Sequence, residues 1–366
     1  MKASNAMAVE TRLTAPPCPL TDKRLPAFRR ALLRWYDQHR RDLPWRETRD
    51  PYRIWLSEIM LQQTRVAAVV DHYRIFLKRF PNVQTLAAAT EDAVLAAWSG
   101  LGYYRRARML YRCAQEAVQK HGGRFPRSSK ALLALPGIGR YTAAAIASIA
   151  FAEAVAVVDG NVERVLQRLI GMNLDTPQTW QRAQALLDNV RPGDFNQAMM
   201  ELGATVCVPR APRCLACPVR KWCDTRGEVA HAAGVEHMQA SRQSKKQIWC
   251  ALDWRDGKGN GKDRGNGEVR LVRRPGKISL MPGMWELPQS CEPPRTTSAL
   301  ARWRTFRHSI TVTDYTVHVL RNTGLRNTAL PAAMPRAQGK WIAIDRIPQM
   351  PITGLTRKIL KAGGII

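Results

Sequence analysis

A chain of 366 residues has room for two or three domains, and an apolar share of 45% with 11 Trp is enough to build cores, which excludes global disorder. The formal charge of +28, from 57 Lys+Arg against 29 Asp+Glu, points to a polyanionic partner, because each neutralised phosphate releases counterions. No apolar run reaches bilayer-spanning length, which favours nucleic acid over a membrane as that polyanion.

Met1 to Pro19 is mixed, with polar residues and three prolines, and lacks the continuous apolar core of a signal peptide, so residues 1–24 read as a flexible tail. From Leu25 to about Pro209 the pattern is helical. Apolar residues recur at helical spacing in Tyr52–Phe80, Ala93–Trp98, Arg105–Val118, Tyr141–Phe151, Val162–Ile170 and Trp180–Val190. Breakers separate these stretches at Pro81, Gly100, Gly122-Gly123 and Thr176-Pro177. A helical domain over 25–224 is therefore expected. Residues 225–246 are polar and aperiodic and read as a linker. Beyond it, Ile248–Trp254, Glu268–Arg273, Tyr315–Leu320 and Lys340–Ile344 have strand character, and Gly257–Gly267 reads as a long flexible hairpin loop. With a final short helix over Leu355–Lys361, residues 247–366 form an α+β domain.

Four of the eight cysteines lie within 17 positions, as Cys207-x6-Cys214-x2-Cys217-x5-Cys223. That clustering suits a metal in a reducing compartment rather than a disulfide framework. Four thiolates on a loop of this length can wrap one tetrahedral zinc or one cubane iron–sulfur cluster, and the residues alone leave both open. Arg210, Arg213, Arg220 and Lys221 make the loop basic.

Leu135 to Thr142 joins two helices through Pro136, Gly137, Ile138, Gly139 and Arg140. Glycines at this spacing allow a tight turn that brings backbone N–H groups to a phosphate at a helix N-terminus. An ordinary interhelical turn is the plainer meaning of Gly-x-Gly; the whole string, in a basic chain, reads as a helix-hairpin-helix gripping a DNA backbone at Gly137 and Gly139.

Two acids sit in unlike settings. Glu58 has Ile54, Trp55 and Leu61 as its helical neighbours, an apolar face that should raise its pKa and suit it to general-acid work; a buried Glu paired to an Arg is the competing reading. Asp159 follows the apolar run Val155–Val158 and opens a helix, where an N-cap competes with an anion that stabilises a developing cation. Glycosidic cleavage needs one acid of each kind.

Leu43–Arg46, Ser57–Val66, Gly100–Arg105, Leu135–Thr142, Val158–Val162, Asn196–Gly203 and the cysteine loop occur in that order. Together they resemble the MutY-type adenine DNA glycosylases, over about residues 25–223 closely and more loosely beyond. The resemblance implies a mostly α helix-hairpin-helix glycosylase domain of endonuclease III-like fold with a [4Fe-4S] cluster on Cys207, Cys214, Cys217 and Cys223, plus a C-terminal Nudix-like α+β domain. It implies excision of adenine opposite 8-oxoguanine or guanine in base excision repair. Glu58 would protonate the adenine, Asp159 would stabilise the sugar cation with Asn161 in support, and Tyr141 would line the site. Arg41, Trp45, Leu61 and Glu201 match positions around the extruded base, and Gln63 and Tyr103 match side chains that enter the duplex. The expected partner is double-stranded DNA, bound by a monomer in the cytoplasm without any membrane. Endonuclease III-like lyases carry a Lys where Tyr141 stands, so the chain is expected to be monofunctional. A bifunctional glycosylase/lyase on oxidised pyrimidines and a non-catalytic iron–sulfur DNA-binding protein are the alternatives.

The C-terminal part departs from the family twice. It lacks the clustered Arg-Glu and Glu-Glu ligands of a Nudix hydrolase, so nucleotide hydrolysis is not expected, although Met281–Pro288 keeps the family's look. Ile310-Thr311-Val312 stands where the family has a Phe-Ser-His loop that contacts 8-oxoguanine, which leaves His308, Ser309 and Thr311 as the expected lesion-contacting residues.

Overall fold

A computed structural model describes residues 23–226, 244–255, 267–276, 280–293, 300–310, 312–322 and 339–366. Eleven helices come first among them: α1 (Leu25–His39), α2 (Pro51–Leu61), α3 (Val66–Arg79), α4 (Val83–Ala87), α5 (Glu91–Trp98), α6 (Arg105–His121), α7 (Ser129–Leu132), α8 (Arg140–Phe151), α9 (Gly160–Ile170), α10 (Thr176–Leu186) and α11 (Pro192–Thr205). Strands β1 (Ser244–Leu252), β2 (Trp254–Arg255), β3 (Glu268–Arg273), β4 (Trp285–Glu286), β5 (Gln289–Ser290), β6 (Leu300–Ile310), β7 (Thr313–Asn322) and β8 (Lys340–Ala343) follow, then α12 (Gly354–Ala362). No described helix is long and apolar enough to cross a membrane.

Two compact units interleave along the chain: Met1–Ile54, Pro126–Ala134 and Ile138–His231 in one, Trp55–Phe125, Leu135–Gly137 and Ala232–Ile366 in the other. The first has a core of Phe28, Leu32 and Tyr36 from α1, Val162, Val165 and Leu166 from α9, and Phe195, Ala198 and Leu202 from α11. Small residues set how closely its helices approach. Ala143, Ala144, Ala145 and Ala147 of α8 are buried. A Cβ at Gly193 of α11 would stand 2.6 Å from the Ser148 carbonyl oxygen, and one at Gly203 would stand 2.6 Å from the Asn161 Cβ.

In the second unit β1 lies between β5 and β7, with β6 on the far side of β7. β1 runs parallel to β7, pairing Ile248 with Val317, and β6 runs antiparallel to it, pairing Phe306 with Val317. A second sheet joins β2, β3 and β4, with β8 on β3. Ile248, Cys250, Val269, Leu271, Val317, Val319 and the α12 residues Ile359 and Leu360 make up the core.

Four sequence expectations change. Tyr52–Phe80 is two helices, because Gln63 takes a left-handed φ of 55° between them; both halves bury apolar faces, so the periodicity runs on through the turn. Thr176-Pro177 starts a helix instead of breaking one. Asp175 and Gln178 form a reciprocal capping box, and Pro177 sits in the first turn, where its missing N–H costs nothing. β1 begins at Ser244, inside the stretch read as linker; its first residues are polar and exposed, pairing with Thr313–Tyr315 through the backbone and through a 2.8 Å bond between the Ser244 and Thr313 hydroxyls, and so leave no hydrophobic signature. Finally, β6 is a strand not expected from the sequence, and it takes in His308, Ser309 and Ile310, the last of these being the first of the three residues read as a loop. That strand escaped notice because a register shift between Arg302 and Arg304 spaces the core-facing Trp303 and Phe306 three apart, which hides the two-residue period. The Gly257–Gly267 loop lies outside the described residues except at its last position.

Gly203→Ala should cost about 1–3 kcal/mol through overpacking against α9, measured as a lower midpoint in urea unfolding with the helical circular dichroism unchanged.

Candidate functional site

In the first unit the chain reaches α9 along Val155–Val158. Asn196, buried on α11, pins that segment: its Oδ1 accepts from the Val157 N–H at 3.1 Å, and its Nδ2 donates to the Val155 carbonyl at 2.9 Å and to the Ser148 hydroxyl at 3.0 Å. Asp159 is then the N-cap of α9. Its Oδ1 accepts from the backbone N–H of Asn161 at 2.9 Å and of Val162 at 2.8 Å, and its Oδ2 accepts from the Asn161 side-chain amide at 2.9 Å. Both oxygens are held, at the positive end of a helix dipole that favours the anion. The cap and the fixed anion are one arrangement, not rivals.

Arg164, a turn along α9, donates to Asn161 Oδ1 at 2.9 Å, to the Gly203 carbonyl at 2.7 Å and to the Cys207 carbonyl at 2.9 Å. Arg168 donates to the Val208 and Pro209 carbonyls at 2.8 and 2.9 Å and lies 3.4 Å from Cys207 Sγ. The cysteine loop is thereby strapped to the helix that Asp159 caps. Cys207, Cys214, Cys217 and Cys223 are half-buried free thiols. Burial pushes Cys217 up to about 11, and the charges of Cys207, Cys223 and Cys214 add to that, so the four sulfurs sense one another. Among the described residues no three Cys, His, Asp or Glu converge as ligands of a single ion.

Glu201 of α11 is buried and fully engaged. Oε1 accepts from the Arg41 backbone N–H at 3.1 Å and from its Nε at 2.7 Å; Oε2 accepts from Arg41 Nη2 and Arg46 Nη2, both at 2.7 Å. Burial alone would raise its pKa, but the two guanidiniums outweigh that and hold the carboxyl down at about 2. Arg41, Glu201 and the buried Trp45 (on the short 3-10 turn Pro44–Arg46) thus belong to one neighbourhood. Arg46 is the member that sequence reasoning missed as a site residue; its place beside Trp45 in the quoted motif was the available signal.

Tyr141, in the first turn of α8, puts its hydroxyl 3.5 Å from Met200 Sδ. Gly139 is the N-cap of α8, and having no side chain it caps that end through backbone conformation alone, in extended geometry. Gly137 needs its glycine twice over: φ is +78°, and a Cβ would stand 2.8 Å from Met109 Cβ in the second unit, to which both residues belong. The Arg140 guanidinium is not a free charge, lying 3.8 Å from the centre of the Trp180 ring.

The second unit carries Glu58, 6% exposed on α2 between the buried Leu56 and Ile59. Glu58 and Asp159 belong to different compact units. Leu61 ends α2, half-buried, and Gln63 and Tyr103 are exposed on turns of positive φ, 55° and 47°. A left-handed conformation costs a non-glycine residue about 1–2 kcal/mol, so something must hold each turn. Arg106 of α6 does. It donates to the carbonyls of Ile59 at 2.8 Å and Met60 at 2.9 Å, to Gln62, to the Thr64 hydroxyl at 2.9 Å, and to the Leu101 and Gly102 carbonyls at 3.3 and 3.4 Å. Sequence reasoning missed it, since one more Arg in a basic chain carries no signal. Toward the C-terminus, His308 is half-buried on β6, with its pKa lowered by burial and by Lys358, and the Ser309 hydroxyl donates to Asp314. Thr311 lies outside the described residues.

Residues 56–192 match the family model described as HhH-GPD superfamily base excision DNA repair protein. A solved thermostable thymine-DNA glycosylase is 33% identical, with a TM-score of 0.54 over 57% of this chain and 99% of its own. A trapped endonuclease III–DNA intermediate, 21% identical at a TM-score of 0.50 over 58% of this chain and 99% of its own, shares the fold. The chain belongs to the HhH-GPD superfamily of base excision DNA repair proteins. Within it, the chain is similar to the adenine DNA glycosylase of Homo sapiens, 50% identical over 218 residues that make up 56% of this chain and 40% of that protein. The chain spans about half the length of the curated relatives it matches.

Glu201→Gln leaves two guanidiniums facing a neutral amide and should cost about 3–5 kcal/mol, read by chemical unfolding at neutral pH. Because the folded carboxyl titrates near 2, below its ordinary 4.5, its contribution is whole above 4.5 and fades as pH falls from there toward 2. Wild type should lose stability over that window, and the variant should lose less.

Proposed function

We propose that the chain is a monofunctional DNA glycosylase that excises adenine mispaired with 8-oxoguanine or guanine. The observation that carries it is the Asp159 carboxylate, held through both oxygens at the head of α9. A carboxylate fixed this way can stabilise the cation that develops at the sugar without reorganising as it forms.

In this reading the adenine leaves the stack, because its glycosidic bond is unreachable inside the duplex. Glu58 donates a proton to a ring nitrogen of the base. The C1′–N bond then breaks, and its electron pair leaves with neutral adenine. Asp159 faces the resulting oxocarbenium ion, with Asn161 holding its second oxygen, until water adds at C1′ and sheds a proton to give an abasic site. Tyr141 lines the pocket, and as a phenol it forms no imine with the sugar, so strand cleavage is not part of the reaction. Arg41, Trp45, Leu61 and Glu201 surround the extruded base, with Glu201 oriented by its two arginines.

The Gly137–Gly139 turn at the N-terminus of α8 takes duplex phosphates. Gln63 and Tyr103 enter the duplex beside the lesion, and His308, Ser309 and Thr311 of the Nudix-like C-terminal region meet the opposing base. Cys207, Cys214, Cys217 and Cys223 would hold a [4Fe-4S] cluster: four free thiols on one short loop are a donor set that suits it. When bound, the cluster supplies a rigid cross-link of the loop. The protein works as a monomer on DNA.

In single-turnover assays on an adenine:8-oxoguanine duplex, strand breaks should appear only after alkali. Breaks without alkali would favour a lyase instead. Glu58→Gln and Asp159→Asn should each lower adenine release by at least about 10³-fold while duplex affinity, measured by anisotropy, stays within a few-fold of wild type. Either variant turning over normally would defeat the assignment.

A further inference from the structure

The turn after α2 and the turn before α6 are far apart in sequence, yet one half-buried guanidinium, that of Arg106, serves both. Ile59 and Met60 are among the last carbonyls of α2, which have no partner within the helix. A cation there is favoured by the helix dipole as well as by the hydrogen bonds. Nη1, which serves Ile59 and Met60, also donates to Gln62, and Nη2 is shared between the Thr64 hydroxyl of the first turn and the Leu101 and Gly102 carbonyls of the second. Its plane lies 5.4 Å from the Trp98 ring and 5.3 Å from the Tyr103 ring. The Trp98 indole N–H donates to the Gly102 carbonyl at 3.0 Å, closing the second turn from behind. Burial pushes Arg106 down to about 10, so its position is held against a real desolvation cost.

The two residues that project from these turns are Gln63 and Tyr103. Both are exposed, Tyr103 at 49%, and both occupy the left-handed backbone region. We infer that Arg106 is a positioning residue that locks these two turns into a single two-pronged wedge, so that Gln63 and Tyr103 enter the duplex at a fixed separation. The inference rests on the reading of those two side chains as duplex-entering. Arginine is required for geometric reasons: a planar fork holds two donor nitrogens at fixed positions that between them serve both turns, whereas a lysine ammonium is a point donor at the end of a flexible stem. Because Ile59 follows Glu58 directly, the same clamp also fixes the end of the helix that carries the acid.

The test uses the full chain with Arg106→Met and Arg106→Lys. In DNA-free protein, amide hydrogen exchange should accelerate about 10- to 100-fold in segments 59–64 and 99–104 together, with α8 and α9 unchanged. Arg106→Lys should shift both segments in the same direction by less. On a duplex carrying 2-aminopurine opposite 8-oxoguanine, the rate of the fluorescence rise that reports extrusion should fall about 10- to 100-fold in Arg106→Met, while affinity for an undamaged duplex is unchanged. Should Arg106→Met fail to fold, Thr64→Val removes one acceptor and keeps the arginine, and it should loosen both segments by a smaller factor. Exchange that stays at wild-type rates, or that rises in one segment alone, overturns the inference, as does normal extrusion in a folded Arg106→Met. A wild-type protein that releases no adenine counts against the glycosylase reading only, and the exchange result then decides the role of Arg106.

Discussion

The approach of α11 to α8 and α9 is the constraint on which the first unit depends. At Gly193 and Gly203 the backbones come so near that no side-chain atom fits between them. Only at that separation can Asn196 reach the Ser148 hydroxyl and the Val155–Val157 backbone, and Arg164 reach the Gly203 carbonyl. Each of those bonds is worth on the order of 1 kcal/mol, but their joint effect is directional. They fix where the chain turns into α9, and so where the Asp159 carboxylate points. A helix contact made of missing side chains thus sets the orientation of the acid.

Positive charge in this chain is not simply surface. Arg41 and Arg46 are spent on Glu201, Arg106 on backbone carbonyls, and Arg164 and Arg168 on the cysteine loop. Arg140 lies against Trp180. The formal charge of +28 therefore describes two populations, one available to a polyanion and one acting as internal fasteners. The fasteners are arginines because a guanidinium serves several carbonyls at once and stays charged when half-buried.

What was legible in the sequence was local chemistry. The cysteine spacing, the Gly-x-Gly hairpin, the apolar setting of Glu58 and the acid before α9 all declare themselves within short stretches of chain, and the structure buries Glu58 on α2 and puts Asp159 at the N-cap of α9. What was illegible depends on partners far along the chain: Arg46 meets Glu201 at a separation of 155 positions, and Arg106 meets Ile59 at 47. The turn at Gln63 was hidden because hydrophobic period reports which face is buried, not whether the backbone has reversed. Strand β6 was hidden by its bulge, and β1's first residues by being polar and exposed. Asp159 shows a different limit. Treating cap and anion as competing readings assumed a side chain does one thing, whereas the cap is what immobilises the anion.

The cysteine loop also carries Val219 and Trp222, and both are core residues of the first unit, with the Trp222 ring 5.8 Å from Phe28 on α1. A loop that looks like an appendage in sequence is thus a plug that closes the hydrophobic interior at the far end of the unit. Whatever orders the loop contributes to the folding equilibrium of that whole unit by mass action. On the proposed reading, a cluster bound there would tie the stability of this core to the supply of the cluster, and scarcity would be felt first as degradation.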